Sequence, residues 1–176
     1  MLRVEVVPAH SLGIASLRIS DRAAILAFVT EHRELLQGRT LDWGCGLQPY
    51  RHLCGADYLG YDLKIPEHSR FPNGKFDAIL CTVAFQEFGN PISEIAQMRA
   101  ALKKGGHLLM VYHPNWREVE PADHWRISMS GMVELTHRLQ VVWHEPMLKV
   151  RFADFAMNFT CGYVGVALDE YEEHLR

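Results

Sequence analysis

Four short apolar runs alternate along the chain with segments whose apolar residues recur at helical spacing, and this alternation narrows the fold more than any other feature. The runs are Arg39–Trp43, Tyr58–Asp62, Phe76–Thr82 ("FDAILCT") and His107–His113 ("HLLMVYH"), each of strand length. Between them, Ser20 is read as the cap of a helix over Asp21–Gln37, with Ala24, Ile25, Phe28, Val29 and Leu36 on one face and Gly38 as its stop. Pro49–Cys54 is read as a brief helix, and Lys64–Lys75, with Pro66, Pro72 and Gly74, as a loop. Asn90 caps a helix that has Pro91 at its first position, Ile92, Ile95, Met98 and Leu102 on one face, and "KKGG" at Lys103–Gly106 as its close. After an irregular Pro114–Ser128, a helix is predicted over Gly131–Leu139, and Val141–Leu168 holds two or three strand-like runs. No internal repeat or low-complexity segment interrupts this order. Strands that alternate with helices imply an α/β domain: a parallel sheet joined by right-handed crossovers, helices on both faces, and ligands beyond the carboxyl ends of the strands.

The 176 residues, 48% of them apolar, fit a single domain spanning 1–176. A net charge of −3, with acids and bases interleaved, offers no basic block for nucleic acid or for an anionic membrane, so the expected partner is a small molecule; oligomeric state is left open. Met1–Ile19 shows no leader pattern and no run reaches bilayer length, which points to a soluble, cytoplasmic protein. Cys45, Cys54, Cys81 and Cys161 form no C-x-x-C pair, so free thiols are expected rather than disulfides or a zinc site. The ten histidines include no H-x-x-x-H or H-x-H pair on a clear element, and no metal is assigned.

The first predicted strand ends in "LDWGCGLQPY", Leu41–Tyr50. Glycines at 44 and 46 allow a tight turn and a close approach of backbone to ligand. A dinucleotide fingerprint, G-x-G-x-x-G, needs a third glycine where Pro49 stands, which weakens a nicotinamide-dependent oxidoreductase reading. Asp42 stands two residues before the first glycine, where a carboxylate suits an ammonium group better than a phosphate, and this favours S-adenosylmethionine. Asp62, closing "YLGYDL", is placed to accept from two ribose hydroxyls.

With "LDWGCG", "YLGYDL", "FDAILCTVAFQEF" and "ALKKGGHLLMVYH" in this order over Leu41–Leu139, the sequence resembles the class I S-adenosylmethionine-dependent methyltransferases. It is most similar to the small bacterial type with "CG" followed by "PYR" and a later "DHWRIS", here Asp123–Ser128. The resemblance implies a doubly wound, mostly parallel Rossmann-like sheet with an antiparallel C-terminal strand and S-adenosyl-L-methionine as cofactor. It places Asp42, Gly44, Cys45 and Gly46 around the methionine part, Asp62 and Leu63 at the ribose, and Cys81, Thr82 and Val83 near adenine and the sulfonium. Two departures stand out. Relatives carry a further strand and an acid-bearing turn between the ribose acid and the "FDA" strand, whereas Leu63–Lys75 alone fills that interval, so one sheet edge is expected to be short. Relatives also tend to carry Glu-His after that strand, where this chain has Gln86 and Glu87.

Methyl transfer from a sulfonium demands alignment, exclusion of water and, for a protonated acceptor, a nearby base. Glu87, Tyr112, His113 and His124 qualify because they fall at or after predicted strand ends, and His113, His124 and Glu87 are taken as the candidate catalytic residues. Each has a plainer reading beside it: a hydrogen-bonded structural imidazole, a loop histidine, and a solvated acid before a helix. Cys45 and Cys81 read as small apolar fillers, and Trp116, Trp125 and Trp143 as core or lid packing. The leading function is methyl transfer to a small-molecule or sugar-like acceptor; the alternative is a methyltransferase-like binding or regulatory subunit without catalysis.

Overall fold

A computed structural model describes residues 18–115, 123–138, 141–143, 148–151 and 159–167. Helix α1 occupies Arg18–Glu31 and is followed by a tighter turn of helix at Arg33–Leu36. Strand β1 (Thr40–Trp43), a short turn of helix at Arg51–Leu53, strand β2 (Tyr58–Tyr61), a second such turn at Pro66–His68 and strand β3 (Phe76–Thr82) come next. A third turn at Phe85–Glu87 leads into α2 (Pro91–Ala101), β4 (Leu102–Asn115) and α3 (Met129–Arg138), and then β5 (Val141–Trp143), β6 (Leu148–Arg151) and β7 (Phe159–Ala167).

The strands form one sheet in the order β2-β1-β3-β4-β7-β5, with β6 also on β7. Pairings β1–β2, β1–β3 and β3–β4 are parallel; β7 runs antiparallel to β4, β5 and β6. All of β1 is buried, as is most of β3, because helices cover both faces and leave no solvated side for alternation to mark. On one face Leu41, Trp43, Ile79 and Cys81 pack with Ile95 and Met98 of α2 and Met132 of α3. On the other, Ala78, Leu80, Leu109 and Val111 pack with Ile25, Phe28 and Val29 of α1. Each such fully buried aliphatic side chain contributes about 1.5–3 kcal/mol.

Several boundaries differ from the sequence expectations. The chain is already helical at Arg18, so Ser20 lies inside α1 rather than capping it; serine is tolerated within helices when neighbours carry the pattern. The helix also stops at Glu31, and the tighter turn that follows seats Leu36, fully buried, with its carbonyl accepting from Thr40 Oγ1 at 3.0 Å. Asn90 and Pro91 do open α2, Asn90 Oδ1 accepting from Ser93 N at 3.2 Å. Ile92, however, is 61% exposed on its first turn, and Leu102 belongs to β4. The "KKGG" segment is a bulge rather than a helix stop: pairing jumps from Phe76–Leu102 to Ala78–His107, with Gly105 at φ +74° turning the extra residues outward. At its far end β4 runs to Asn115, so His113 lies within the strand rather than ending it, two residues past the last parallel pair, Thr82–Val111. Helix α3 starts at Met129, two residues before the expected Gly131.

Beyond β2, the 62–75 segment folds back instead of adding a strand. Asp62 N donates to His68 O at 2.9 Å, and the Phe71 ring packs 5.3 and 5.1 Å from those of Trp43 and Tyr61. The sheet edge is therefore short among the described residues, with β2 outermost. Trp116 lies outside the described residues, as do the side chains of Trp143 and Cys161 and most of the Met1–Ile19 segment.

Candidate functional site

At the carboxyl end of β1 the chain turns through Gly44, Gly46 and Gln48, whose φ values of +73°, +48° and +56° lie in the left-handed region. A side chain at 44 would also collide with the turn after β3, its Cβ falling 2.4 Å from that of Ala84. A Cβ at 46 would meet nothing within 4 Å, so that glycine answers to backbone conformation and borders open space. The turn is stitched to β2: Gly44 N and Cys45 N donate to Tyr61 O at 2.7 and 3.2 Å, and Gly46 N donates to Asp62 Oδ2 at 3.0 Å. Asp62 Oδ1 accepts from Lys64 N at 2.9 Å, so two backbone amides orient this carboxylate. Gln48 Nε2 lies 2.6 Å from His68 Nε2, tying the same turn to the folded-back loop.

Asp42 forms the floor. It is 1% exposed, and its Oδ2 accepts from the Tyr58 hydroxyl at 2.6 Å. Its other oxygen, Oδ1, is buried without a donor. Burial pushes the Asp42 carboxyl up to about 7; the Tyr58 hydrogen bond pulls it down, and the charge of Asp62 pushes it up. The Cys45 thiol alongside is pushed up to about 12 by burial and then by the charges of Asp42 and Asp62. Such a thiol stays protonated and is no nucleophile.

The rim comes from the loops after β2 and β3. Val83, a β-branched residue at φ +57°, is held by a 2.7 Å bond from its N to Val111 O; a backbone so placed costs about 1–3 kcal/mol and persists only when its surroundings hold it. Gln86 Nε2 donates to Val83 O at 2.9 Å, while Gln86 O accepts from His124 N and Trp125 N at 2.7 and 3.2 Å. Trp125 Nε1 also donates to Phe88 O. Lys64 and Glu87 form an ion pair at 2.7 Å that joins the loop after β2 to the turn after β3. Trp43, edge-on to Tyr61 at 5.2 Å, hydrogen-bonds Glu94, whose carboxyl is raised by burial.

The structure thus brings Asp42, Gly44, Cys45, Gly46 and Asp62 into one unit. Leu63, next to Asp62, is 71% exposed. Thr82 and Val83 reach the same end of the sheet half-buried, but the Cys81 side chain is sealed in the core beneath α2. Glu87 follows Gln86 in the chain, His124 donates its amide to the Gln86 carbonyl, and His113, 4% exposed, lies in β4. Sequence reasoning passed over Tyr58, Lys64 and His68. Only the "YLGYDL" start hinted at the first, since a polar aromatic opening a buried strand needs a partner.

A glycine turn that leads from a buried strand acid to a second acid on the adjacent strand, on a parallel sheet with helices on both faces, defines a nucleoside-cofactor fold of the methyltransferase type. The sequence carries the family assignment further: residues 18–155 match the methyltransferase-domain family, and the chain belongs to it as a class I S-adenosylmethionine-dependent methyltransferase. Solved structures share the fold. A chain of the complex between the Haloferax volcanii Trm112 methyltransferase activator and a methyltransferase is 16% identical, with 89% of this chain and 94% of that one covered and a TM-score of 0.64. An S-adenosylmethionine-dependent methyltransferase from Mesorhizobium loti is 14% identical (80% and 95% covered, TM-score 0.62). Magnesium protoporphyrin IX methyltransferase from Synechocystis PCC 6803, with bound SAH, is 10% identical (88% and 89% covered, TM-score 0.61). No curated protein matches the sequence. Among the described residues no helix is long and apolar enough to cross a membrane.

Proposed function

We propose that the chain holds S-adenosyl-L-methionine across the glycine turn and transfers its methyl group to a small-molecule or sugar-like acceptor. One observation carries this reading: Asp42 Oδ1 is a buried acceptor without a donor, in a turn whose next strand presents a second, pre-oriented carboxylate. An ammonium group satisfies the first, and ribose hydroxyls suit the free lone pairs of the second. The residues fit the cofactor on these grounds. Gly44, Cys45 and Gly46 border its methionine part and Leu63 its ribose, with the backbone of Cys81, Thr82 and Val83 toward adenine and the sulfonium.

The bound cofactor supplies a methyl group already activated by a positive sulfur. The chain's own work is to align an acceptor, keep water out and take a proton where the acceptor carries one. His113, His124 and Glu87 are the candidates to take that proton; Glu87 is held by Lys64 at 2.7 Å, and the His124 amide is held by the Gln86 carbonyl. The net charge of −3 and the lack of a basic block favour a small acceptor over nucleic acid.

Calorimetry with S-adenosylmethionine and S-adenosylhomocysteine tests the reading. Binding of both is expected, and titrations without heat from either would overturn it. The short edge at β2, where the 62–75 segment folds back instead of adding the further strand that the resemblance implies, favours a second reading, a binding module without turnover. Binding without methyl transfer across a broad acceptor panel would select it.

A further inference from the structure

We propose that Tyr58 is a positioning residue for the cofactor: its hydroxyl ties one oxygen of Asp42 and so leaves the other as the acceptor for the cofactor's ammonium group. The proposal rests on the cofactor reading above and adds a residue that touches the ligand nowhere.

The geometry is specific. Tyr58 opens β2 opposite Thr40, so its side chain reaches diagonally along the sheet to Asp42, whose own partner across the strands is Gly60. The space that a side chain at 60 would need is filled from the turn, since a Cβ there would fall 2.8 Å from Cys45 Sγ and 2.9 Å from Gln48 Nε2. Tyr58 Oη is thus the donor that reaches Asp42, at 2.6 Å, and it leaves Oδ1 with none. The Tyr58 ring is fixed in turn: it is buried, and the Arg51 guanidinium carbon stands 5.2 Å from its centroid. Burial and then the charge of Asp42 raise the Tyr58 phenol, so Tyr58 stays the donor throughout the neutral range.

The groups that face Asp42 are Tyr58 and Asp62 of β2 and its end, Cys45 of the turn, Cys54 after the Arg51–Leu53 helix and Cys81 of β3. None is a cation. A carboxylate with one oxygen tied, the other unsatisfied and no positive neighbour gains most from a ligand that brings a charged N–H donor. Without the tyrosine hydroxyl, both oxygens would compete for that donor, the carboxylate could rotate, and a proton would be held to higher pH.

The test compares wild type with Tyr58→Phe, which keeps the ring and its contact with Arg51. Two ligands are titrated by calorimetry between about pH 5 and pH 9: S-adenosylhomocysteine, which carries the ammonium group, and 5′-methylthioadenosine, which lacks it. The variant is expected to bind S-adenosylhomocysteine about 10-fold more weakly, with its acid limb displaced to higher pH, and methylthioadenosine within about twofold of wild type. Should the variant fail to fold, carboxyl NMR of Asp42 in the wild type decides. Its titration is expected to move to lower pH when S-adenosylhomocysteine binds and to stay in place with methylthioadenosine. Equal losses for both ligands, an unmoved acid limb, or an Asp42 signal indifferent to S-adenosylhomocysteine would overturn the positioning role while the cofactor reading stands. Wild type that binds neither ligand would overturn both.

Discussion

Asp77 and Asp42 stand on adjacent strands of one sheet, at opposite ends of it, and their surroundings could hardly differ more. Asp77, at the amino end of β3, is partly exposed and accepts from Lys103 Nζ at 2.8 Å and from Arg39 N at 2.9 Å; the lysine bond and then the amide hold its carboxyl below the usual range. Asp42, at the carboxyl end of β1, is sealed from water with one neutral donor and is pushed up to about 7. The amino end of the sheet spends its acid on closing the fold. The carboxyl end keeps an acid that the protein itself leaves incomplete, and such perturbed groups concentrate at functional sites.

The largest effect that would break this contrast is expected from Asp42→Asn. If Asp42 faces the ammonium, the variant should lose about 100-fold or more in S-adenosylhomocysteine affinity by calorimetry, because a charged partner is removed from a buried place. The same variant should change how stability follows pH. Burial raises the carboxyl from 3.8 to about 7, so the native protein holds this proton more tightly than the unfolded chain does. The contribution is fully present below about pH 4 and is lost as pH rises toward about 7. Urea unfolding should therefore show wild type losing stability relative to Asp42→Asn across that interval, and a flat difference would refute the burial argument.

Next in size is Asp62→Ala, expected to cost about 1.5–3 kcal/mol in cofactor binding. Unchanged affinity would remove Asp62 from the ribose. The smallest effect belongs to Asp77→Asn, about 0.5–1 kcal/mol of stability with cofactor affinity intact, since a half-exposed pair is weakened by solvent. Its sign is opposite to that of Asp42: a lowered carboxyl stabilises above its unfolded value, and the gain disappears as pH falls through the folded one.

What was legible in the sequence was what neighbours along the chain decide. The β3 run, the Asn90–Pro91 helix start and the glycine turn after Asp42 each carry their cause within a few residues. The strand ends also placed both acids of the site at one edge. Hidden were the arrangements made through space. Nothing in the spacing of Tyr58 and Asp42, or of Lys64 and Glu87, announces that they touch. "KKGG" signals a helix close by composition, but its glycines serve a bulge that only the pairing with Phe76 and Ala78 defines. Ile92 fits the helical period and still faces water, because periodicity names a face without saying where its cover ends.

One carbonyl oxygen, that of Gln86, receives amides from both His124 and Trp125, while the side chain of the same residue grips Val83. The residue is a tie between the 124–125 backbone and the turn after β3. Displacing the backbone at His124 and Trp125 therefore costs both bonds on that oxygen and the indole bond to Phe88, and the residue that holds this backbone is itself fastened to Val83.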